Sequence, residues 1–208
     1  MIITEEMLSA LREDIKPYLT GKRYAHTLAV EKAAAELGGI YLPDQVTKLR
    51  AAALLHDITK MADTEKQLQY CREFDIMVTA SDRQSPKIFH AKTGAELAKR
   101  AFAAYADPVV IDGIRWHTTG HDGMTVFEAI VYLADYIEET RTFPDCIALR
   151  EYFRRELAEA DGAAEREAVL NRTMVLSFDM TIRNLLEENA PVDNDTINAR
   201  NYYLSVLK

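Results

Sequence analysis

Apolar side chains recur every three or four residues along almost all of this 208-residue chain. That spacing places them on one face of an α-helix, whereas a half-buried strand needs strict alternation. No convincing strand, internal repeat or linker interrupts the pattern. The periodicity therefore predicts an all-α fold, a single helical bundle whose 48% hydrophobic content can build a core without disulfides.

Capping residues, prolines and glycines set the predicted helix boundaries. Thr4 caps a first helix that stops before Pro17, and Gly38 with Gly39 ends a second helix that begins at about Lys22. The segments 78–87 and 118–123 contain breaker residues and are predicted to be loops. Further helices are predicted at about 44–57, 65–74, 90–105, 107–117, 126–139, 147–186 (one helix or a pair) and from 196 onward.

An apolar run ends in two adjacent polar side chains, His56 and Asp57. A carboxylate at the end of a buried helix is costly unless it is paired or bound to a cation. His26 lies 30 residues before His56, and Asp135 lies 78 residues after Asp57, each in its own apolar helical segment. Taken alone, His26 fits a satisfied helix histidine and Asp135 a buried aspartate paired with an arginine. Their joint occurrence in the order H…HD…D favours a metal site, and this order resembles the HD-domain phosphohydrolases.

The donor set indicates the kind of metal. Two imidazoles and two carboxylates favour iron, manganese or cobalt over a thiolate-type zinc site, and the number of ions is one or two. The two cysteines, Cys71 and Cys146, lie in other segments, which weighs against a structural zinc site. We interpret both as half-buried thiols of a protein in a reducing compartment.

Two further histidines belong to the same pattern. His90 opens a predicted helix and His117 ends another. In two-metal HD proteins, histidines at such places hold the second ion, and in one-metal members they face the phosphate. A surface histidine at a helix end is the alternative for each. His121, in a glycine-flanked loop, is the weakest candidate of the five histidines.

Beyond the HD signature, longer motifs resemble the YqeK-type HD hydrolases, a family of symmetrical bis(5'-nucleosyl)-tetraphosphatases. The combination of an HTTG loop with an ADYIE-x-x-R helix is specific, and the resemblance covers about residues 22–201. Two departures are His121, where arginine or lysine usually follows HTTG, and Glu139, where proline is common. The motifs are Arg23-Tyr24-Ala25-His26-Thr27, Leu54-Leu55-His56-Asp57-Ile58-Thr59-Lys60, His117-Thr118-Thr119-Gly120, Tyr132 to Arg141, and Thr196 to Asn201.

The resemblance implies cleavage of diadenosine tetraphosphate into two ADP by an enzyme that carries iron or a similar divalent metal. It implies that His26, His56, Asp57 and Asp135 hold the metal. Asp57 and Asp135 are then the catalytic carboxylates, beside a metal-bound hydroxide that attacks an inner phosphorus in line. His90 and His117 would complete a second metal or phosphate site.

Nucleotide or phosphate contacts are expected from seven further residues: Arg23, Lys60, Thr118, Thr119, Gly120, Tyr136 and Arg141. A planar arginine fork suits two phosphate oxygens, and a lysine acts as a point charge. A salt-bridging or solvated side chain is the alternative for the cationic members. Core packing is the alternative for Tyr136, and also for Trp116, which could otherwise stack on a base.

The net charge of −8 argues against a nucleic-acid polymer as partner, because such binding depends on a basic surface. A small phosphorylated substrate is compatible with it, since a metal and local cations can overrule the global sign. The short acidic N-terminus and the lack of an apolar span predict a cytoplasmic protein without membrane contact. We expect one domain over 1–208, with an HD core at about 20–142 and C-terminal helices at about 147–208 packed on it. A homodimer is left open.

Three alternatives compete with this reading. Other HD proteins hydrolyse nucleoside monophosphates, nucleoside triphosphates or cyclic nucleotides, and a sequence does not measure the pocket. A non-catalytic nucleotide sensor could use the same pocket, although a complete ligand set argues against it. A purely structural helical scaffold would leave two buried carboxylates without partners.

Overall fold

The computed structural model describes residues 2–208, apart from the side chains of residues 80 and 81. Within that range the chain forms helices and no strands, which confirms the predicted all-α class. Short 3₁₀ turns join several of the helices, at Lys16–Tyr18, Pro43–Gln45, Pro86–Ile88 and Ala103–Tyr105. The α-helices are α1 Glu5–Asp14, α2 Gly21–Tyr41, α3 Val46–Leu55, α4 Thr64–Glu73, α5 Ala80–Gln84, α6 Phe89–Ala101, α7 Pro108–Trp116, α8 Val126–Ile137, α9 Pro144–Glu159, α10 Ala163–Glu187 and α11 Asn194–Val206.

The predicted end of the second helix at Gly38 and Gly39 is wrong, because α2 continues to Tyr41. Gly38 lies where α2 crosses α3, and a Cβ atom there would come within 2.7 Å of the Leu49 side chain. The absence of a side chain thus serves close helix packing rather than helix termination. The helix ends at Leu42, next to Pro43, which cannot continue it.

The predicted loop at 78–87 is also partly wrong, since α5 and a 3₁₀ turn lie within it. Thr79 and Asp82 form a reciprocal capping box, in which each side chain accepts the other residue's backbone N–H. Lys92 of α6 donates to Asp82 over 2.5 Å and ties the short helix to the bundle. Helix α5 ends at Gln84, directly before Ser85-Pro86, which are two of the breaker residues of this segment.

Helix α8 runs through the middle of the bundle and contacts α2, α3, α7, α9 and α10. Its residues 127–134 are all buried, so it is enclosed on every side rather than amphipathic. Helix α3 is buried over 51–55 in the same way and delivers the residues after Leu55 into the interior. The residues that follow α3 and those on α8 are therefore held in the buried interior of the bundle.

The C-terminal helices share this core. Phe178 of α10 is fully buried and contacts the rings of Tyr132 on α8 and Tyr203 on α11. Arg150 of α9 is also buried and donates to the carbonyl oxygens of Glu138 and Arg141, over 3.0 and 2.8 Å. Helix α9 thereby fixes the turn that follows α8. Among residues 2–208, no helix is both long enough and apolar enough to cross a membrane.

The loop between α7 and α8 turns on two glycines with left-handed backbone, Gly120 at φ +64° and Gly123 at φ +77°. A Cβ atom on Gly120 would lie 2.7 Å from the Phe178 ring and 2.9 Å from Ala199. At Gly123 the same atom would meet nothing within 4 Å. Both positions favour glycine, but only Gly120 is also packed beneath the C-terminal helices.

We expect Gly120→Ala to lower the free energy of unfolding by about 2–5 kcal/mol, measured by urea denaturation. Left-handed backbone costs a non-glycine residue roughly 1–2 kcal/mol, and forced overpacking adds about 1–3 kcal/mol. Gly123→Ala is the matched control, with the backbone cost alone. Equal losses in the two variants would contradict the close packing of Gly120.

Candidate metal centre

Six side chains with nitrogen or carboxylate donors converge at one place in the bundle. They come from α2, the end of α3, α6, the end of α7, and α8. His56 and Asp57 are almost completely buried, and only the Asp135 side chain, at 19% exposure, reaches solvent to a notable degree. The six are His26, His56, Asp57, His90, His117 and Asp135.

The first cluster joins the four residues of the H…HD…D pattern. Nε2 of His26 lies 3.0 Å from Oδ1 of Asp135 and 3.8 Å from Oδ2 of Asp57. Nε2 of His56 lies 3.3 Å from Oδ2 of Asp57 and 3.8 Å from Oδ1 of Asp135. Two ligands held about 2.1 Å from one cation are at most about 4.2 Å apart, so all four separations suit a shared ion.

Each of the two histidines of this cluster has one ring nitrogen without a hydrogen-bond partner. Nε2 of His26 and Nε2 of His56 are buried, and neither forms a hydrogen bond within residues 2–208. Buried polar atoms are nearly always satisfied, so two orphaned nitrogens facing two carboxylates need an explanation. A divalent transition metal provides one, since nitrogen and carboxylate donors are the ligands it takes. The residues present therefore fit such an ion.

The second cluster shares Asp57 with the first. Oδ1 of Asp57 lies 3.3 Å from Nε2 of His90 and 3.8 Å from Nε2 of His117. The two Nε2 atoms are 3.0 Å apart, and the hydroxyl of Thr118 lies within 3.2 Å of both. Nζ of Lys60 lies 3.1 Å from Nε2 of His90. A cationic side chain is thus already present where the second ion of a two-metal site would bind.

Each histidine of the centre points its Nε2 atom toward the other donor atoms, because its Nδ1 atom forms a hydrogen bond outside the cluster. In His56, His90 and His117, Nδ1 lies 2.6–2.7 Å from the carbonyl oxygen three residues earlier. A carbonyl oxygen only accepts, so Nδ1 carries the proton and Nε2 keeps a free lone pair in the neutral ring. The backbone of each helix end thereby selects the tautomer that can bind a metal.

His26 uses a carboxylate for the same purpose. Its Nδ1 lies 2.9 Å from Oε1 of Glu138, whose side chain is fully buried. Glu138 is held in turn by the backbone N–H and the hydroxyl of Thr140. Sequence reasoning gave Glu138 no role. The signal available was a glutamate just after the apolar α8 segment, three residues beyond Asp135.

The charges around the centre are strongly coupled. Burial alone would raise the pKa of Asp57, but the surrounding histidines, foremost His56, hold it well below its usual range. Burial opposes ionisation of Asp135 as well, yet Arg141 and His26 keep its pKa well below the usual value. Burial would lower the pKa of His26, but the two nearby carboxylates, Asp135 and Glu138, raise it to about 9. A bound cation would take the place of that proton.

Burial has the opposite outcome at the second cluster. It lowers the pKa of His90 well below the ordinary value, helped by the charge of Lys60, and it also lowers the pKa of His117. Both rings are therefore neutral and act as lone-pair donors at Nε2. Burial lowers the pKa of Lys60 too, against the attraction of Asp57 and Asp135.

Two arginines pair with the two carboxylates of the first cluster. Arg23 donates from Nη1 to Oδ2 of Asp57 over 2.9 Å. Arg141 donates from Nη2 to Oδ1 of Asp135 and from Nε to the Asp135 carbonyl oxygen, both over 2.5 Å. Both side chains are about one quarter to one third exposed, and a guanidinium has five donors. The arginines can therefore hold a ligand carboxylate and still offer N–H groups to an incoming anion.

The remaining predicted contacts are placed unequally. Thr118 faces the second cluster, and Tyr136 lines a cleft beside the centre. Thr119 is buried, and its hydroxyl donates to the carbonyl oxygen of Gly120. Gly120 itself packs against Phe178, so the structure brings neither Thr119 nor Gly120 to the cluster.

The other two candidates lie apart from the centre. His121 is paired with Glu128 over 2.9 Å and packs on Trp116, so it takes no part in the convergence of the other four histidines. Trp116 is also covered by the guanidinium of Arg115. Both residues thus serve the packing of the loop that follows α7.

Two clefts open onto the metal centre. The first cleft, of about 560 Å³, is lined by His117, Asp135 and Tyr136 and by residues of α10 such as Asn184. The second cleft, of about 430 Å³, is lined by His26, Arg23 and Glu138 and extends to Lys22 and Met61. Arg141 and Phe143 line both clefts, so the centre is approached from two sides of the same turn.

We expect Glu138→Gln to weaken divalent-metal binding by roughly 10–100-fold, the usual loss when an outer partner of a ligand histidine is altered. The charge that orients His26 is removed while the side chain keeps its size. Titration against a competing chelator measures the change. Glu139→Gln is the matched control, because Glu139 is 56% exposed and pairs with Arg150 and Arg154 instead. Unchanged affinity in Glu138→Gln would contradict the orienting role.

Comparison with known proteins adds an independent finding. The HD domain family model matches residues 23–140. The symmetrical bis(5'-nucleosyl)-tetraphosphatase of Bacillus subtilis is 35% identical over 92% of this chain and 94% of its own. The protein of that name from Staphylococcus aureus is 31% identical over 90% of each chain.

A solved structure has the same fold. It is the crystal structure of a predicted HD superfamily hydrolase involved in NAD metabolism from Clostridium acetobutylicum. It superposes with a TM-score of 0.81 at 32% identity, and it covers 95% of this chain and 97% of its own. The chain therefore belongs to the HD-domain family and, within it, to the family of symmetrical bis(5'-nucleosyl)-tetraphosphatases.

Proposed function

We propose that this chain is a metal-dependent hydrolase that splits diadenosine tetraphosphate symmetrically into two ADP. The observation that carries the proposal is the cluster of His26, His56, Asp57 and Asp135, with two buried, unpartnered Nε2 atoms. It is supported by relatives with that activity in their names, which align over nine tenths of the chain. A structural scaffold does not account for the two unpartnered Nε2 atoms, because buried polar atoms are nearly always hydrogen-bonded.

We infer one resident ion, held by His26, His56, Asp57 and Asp135. When bound, a divalent cation supplies Lewis-acid stabilisation of a phosphoryl oxygen and lowers the pKa of a bound water. The mixed nitrogen and oxygen donors suit iron, manganese or cobalt, and the resemblance to the YqeK-type hydrolases favours iron among them. The inference of a single ion rests on Lys60, because its ammonium lies 3.1 Å from Nε2 of His90, where a second cation would have to bind.

Asp57 and Asp135 are the catalytic carboxylates in this proposal. Asp57 divides its two oxygens between the clusters, with Oδ2 toward His56 and Oδ1 toward His90. It can therefore fix the ion relative to the groups that meet the phosphate. Asp135 closes the first cluster from α8 and is oriented by Arg141.

The cationic side chains match a polyphosphate. Arg23, Lys60 and Arg141 balance the three carboxylates Asp57, Asp135 and Glu138, so a bound divalent ion leaves the centre with a net positive charge. Hydrolysis of a phosphoanhydride builds negative charge on the phosphoryl oxygens, and catalysis depends mainly on positioning and on stabilising that charge. Arg23 is paired with Asp57 and Arg141 with Asp135, and each arginine can donate further hydrogen bonds to the phosphate chain. Lys60 provides a point charge.

The neutral groups of the second cluster orient the reacting atoms. Thr118 can donate its hydroxyl proton to a phosphate oxygen, and the Nε2 atoms of the neutral His90 and His117 rings can accept a hydrogen bond from water. Tyr136, on the wall of the first cleft, is placed to contact a nucleotide. The cytoplasmic location, the possible homodimer and the division into an HD core with appended helices stay predictions.

The test is a product assay on protein purified without chelator, combined with metal analysis. We expect one bound equivalent of a divalent transition metal and two ADP from each diadenosine tetraphosphate. Removal of the metal should abolish turnover, and iron, manganese or cobalt should restore it. Release of ATP and AMP would contradict symmetrical cleavage.

A nucleotide panel separates the alternatives. A mononucleotide or cyclic nucleotide that is hydrolysed in preference to diadenosine tetraphosphate would favour another HD-type hydrolase. Metal-loaded protein that binds ADP but cleaves no phosphoanhydride would support a nucleotide sensor. Our proposal requires the dinucleoside compound to have the highest kcat/KM of the panel.

We expect Lys60→Met to lower kcat/KM for diadenosine tetraphosphate by roughly 10²-fold, the usual loss when one donor to developing charge is removed. Metal content should not fall below the wild-type level, because Lys60 is not a ligand to the ion in this proposal. Lys66→Met, on the adjoining α4, is the control and should leave both quantities unchanged. A loss of bound metal in Lys60→Met would contradict the separate role of the lysine.

A further inference from the structure

Symmetrical cleavage sets a requirement on the space around the centre, if the proposed function holds. Water adds its oxygen to one of the two middle phosphorus atoms, and the other ADP leaves with the bridging oxygen. An ADP unit therefore extends to each side of the breaking bond. The protein must accept two nucleosides on two sides of one metal centre.

The structure has two openings that meet this requirement. The first cleft reaches the centre along His117 and Asp135, and the second reaches it along His26. Both volumes, about 560 and 430 Å³, lie in the range of small-molecule sites. The shared wall of Arg141 and Phe143 lies between them, so one phosphate chain could pass the arginine and enter both.

The second cleft contains apolar surface that the fold does not use. Met61 is 48% exposed and Phe143 is 65% exposed, and both line this cleft. Two large apolar side chains at the wall of a polar cleft are a typical surface for a flat, weakly polar ligand such as a purine. Lys22 and Thr142 on the same wall add a cation and a hydroxyl near the expected phosphate and ribose.

We propose that the second cleft binds the second nucleoside diphosphate unit of the substrate, with its base against Met61 and Phe143. This inference rests on the proposed function and assigns Met61 as a specificity-determining residue for dinucleoside substrates. The first cleft, with Tyr136, takes the other unit. A mononucleoside polyphosphate would leave one of the two clefts empty.

The test compares Met61→Ala with Met77→Ala. Met77 is 84% exposed and lines neither cleft, so it reports on loss of an exposed methionine alone. We expect Met61→Ala to raise KM for diadenosine tetraphosphate roughly 3–10-fold, the size of a lost sulfur–aromatic contact, with kcat almost unchanged. Inhibition by inorganic tripolyphosphate, which has no base, should be equal in wild type and both variants.

Two results would overturn the second subsite. One is a KM in Met61→Ala that equals the KM of Met77→Ala. The other is a loss of inhibition by tripolyphosphate in Met61→Ala that is as large as the rise in KM. That result would assign the effect to the phosphate chain and not to the base. If the wild-type protein releases no ADP from diadenosine tetraphosphate, the proposed function fails first, and the subsite fails with it.

Discussion

The buried carboxylate of Asp57 is the constraint on which the centre depends. It cannot stay ionised in the interior without positive charge nearby, and its two oxygens face two different pairs of histidines. Arg23 supplies one charge directly, and the unpartnered Nε2 atoms of His26 and His56 face the same carboxylate, where a cation fits. Asp57 follows the enclosed helix α3, so the fold itself keeps this carboxylate buried and in need of positive charge.

Helix geometry prepares the ligands before any ion binds. His56, His90 and His117 lie near helix ends, and each ring is fixed by the carbonyl oxygen three residues before it. The same local hydrogen bond thus orients a histidine at α3, α6 and α7, and it needs no contact with another helix. His26 lies inside α2 and instead depends on Glu138, which comes from the far end of α8.

Local signals allowed most helices and the four H…HD…D residues to be predicted, because periodicity, caps and an apolar run ending in polar residues are visible in the sequence. Features set by distant packing were not visible. In the sequence Gly38 indicates the end of a helix, but in the structure it allows Leu49 to pack closely. Gly120 indicates a phosphate-binding loop, but it packs against Phe178. Glu138 was missed because its partner is 112 residues away.

Arg150 connects the C-terminal helices to the candidate metal centre. Its guanidinium holds the carbonyl oxygens of Glu138 and Arg141, the two residues that orient His26 and Asp135. The family model ends at residue 140, so this support lies beyond the conventional limit of the HD core. A shortened version that ends there would keep all six donor side chains but would lose both Arg141 and the guanidinium of Arg150, so α9 supports the candidate metal centre as α2 and α8 do.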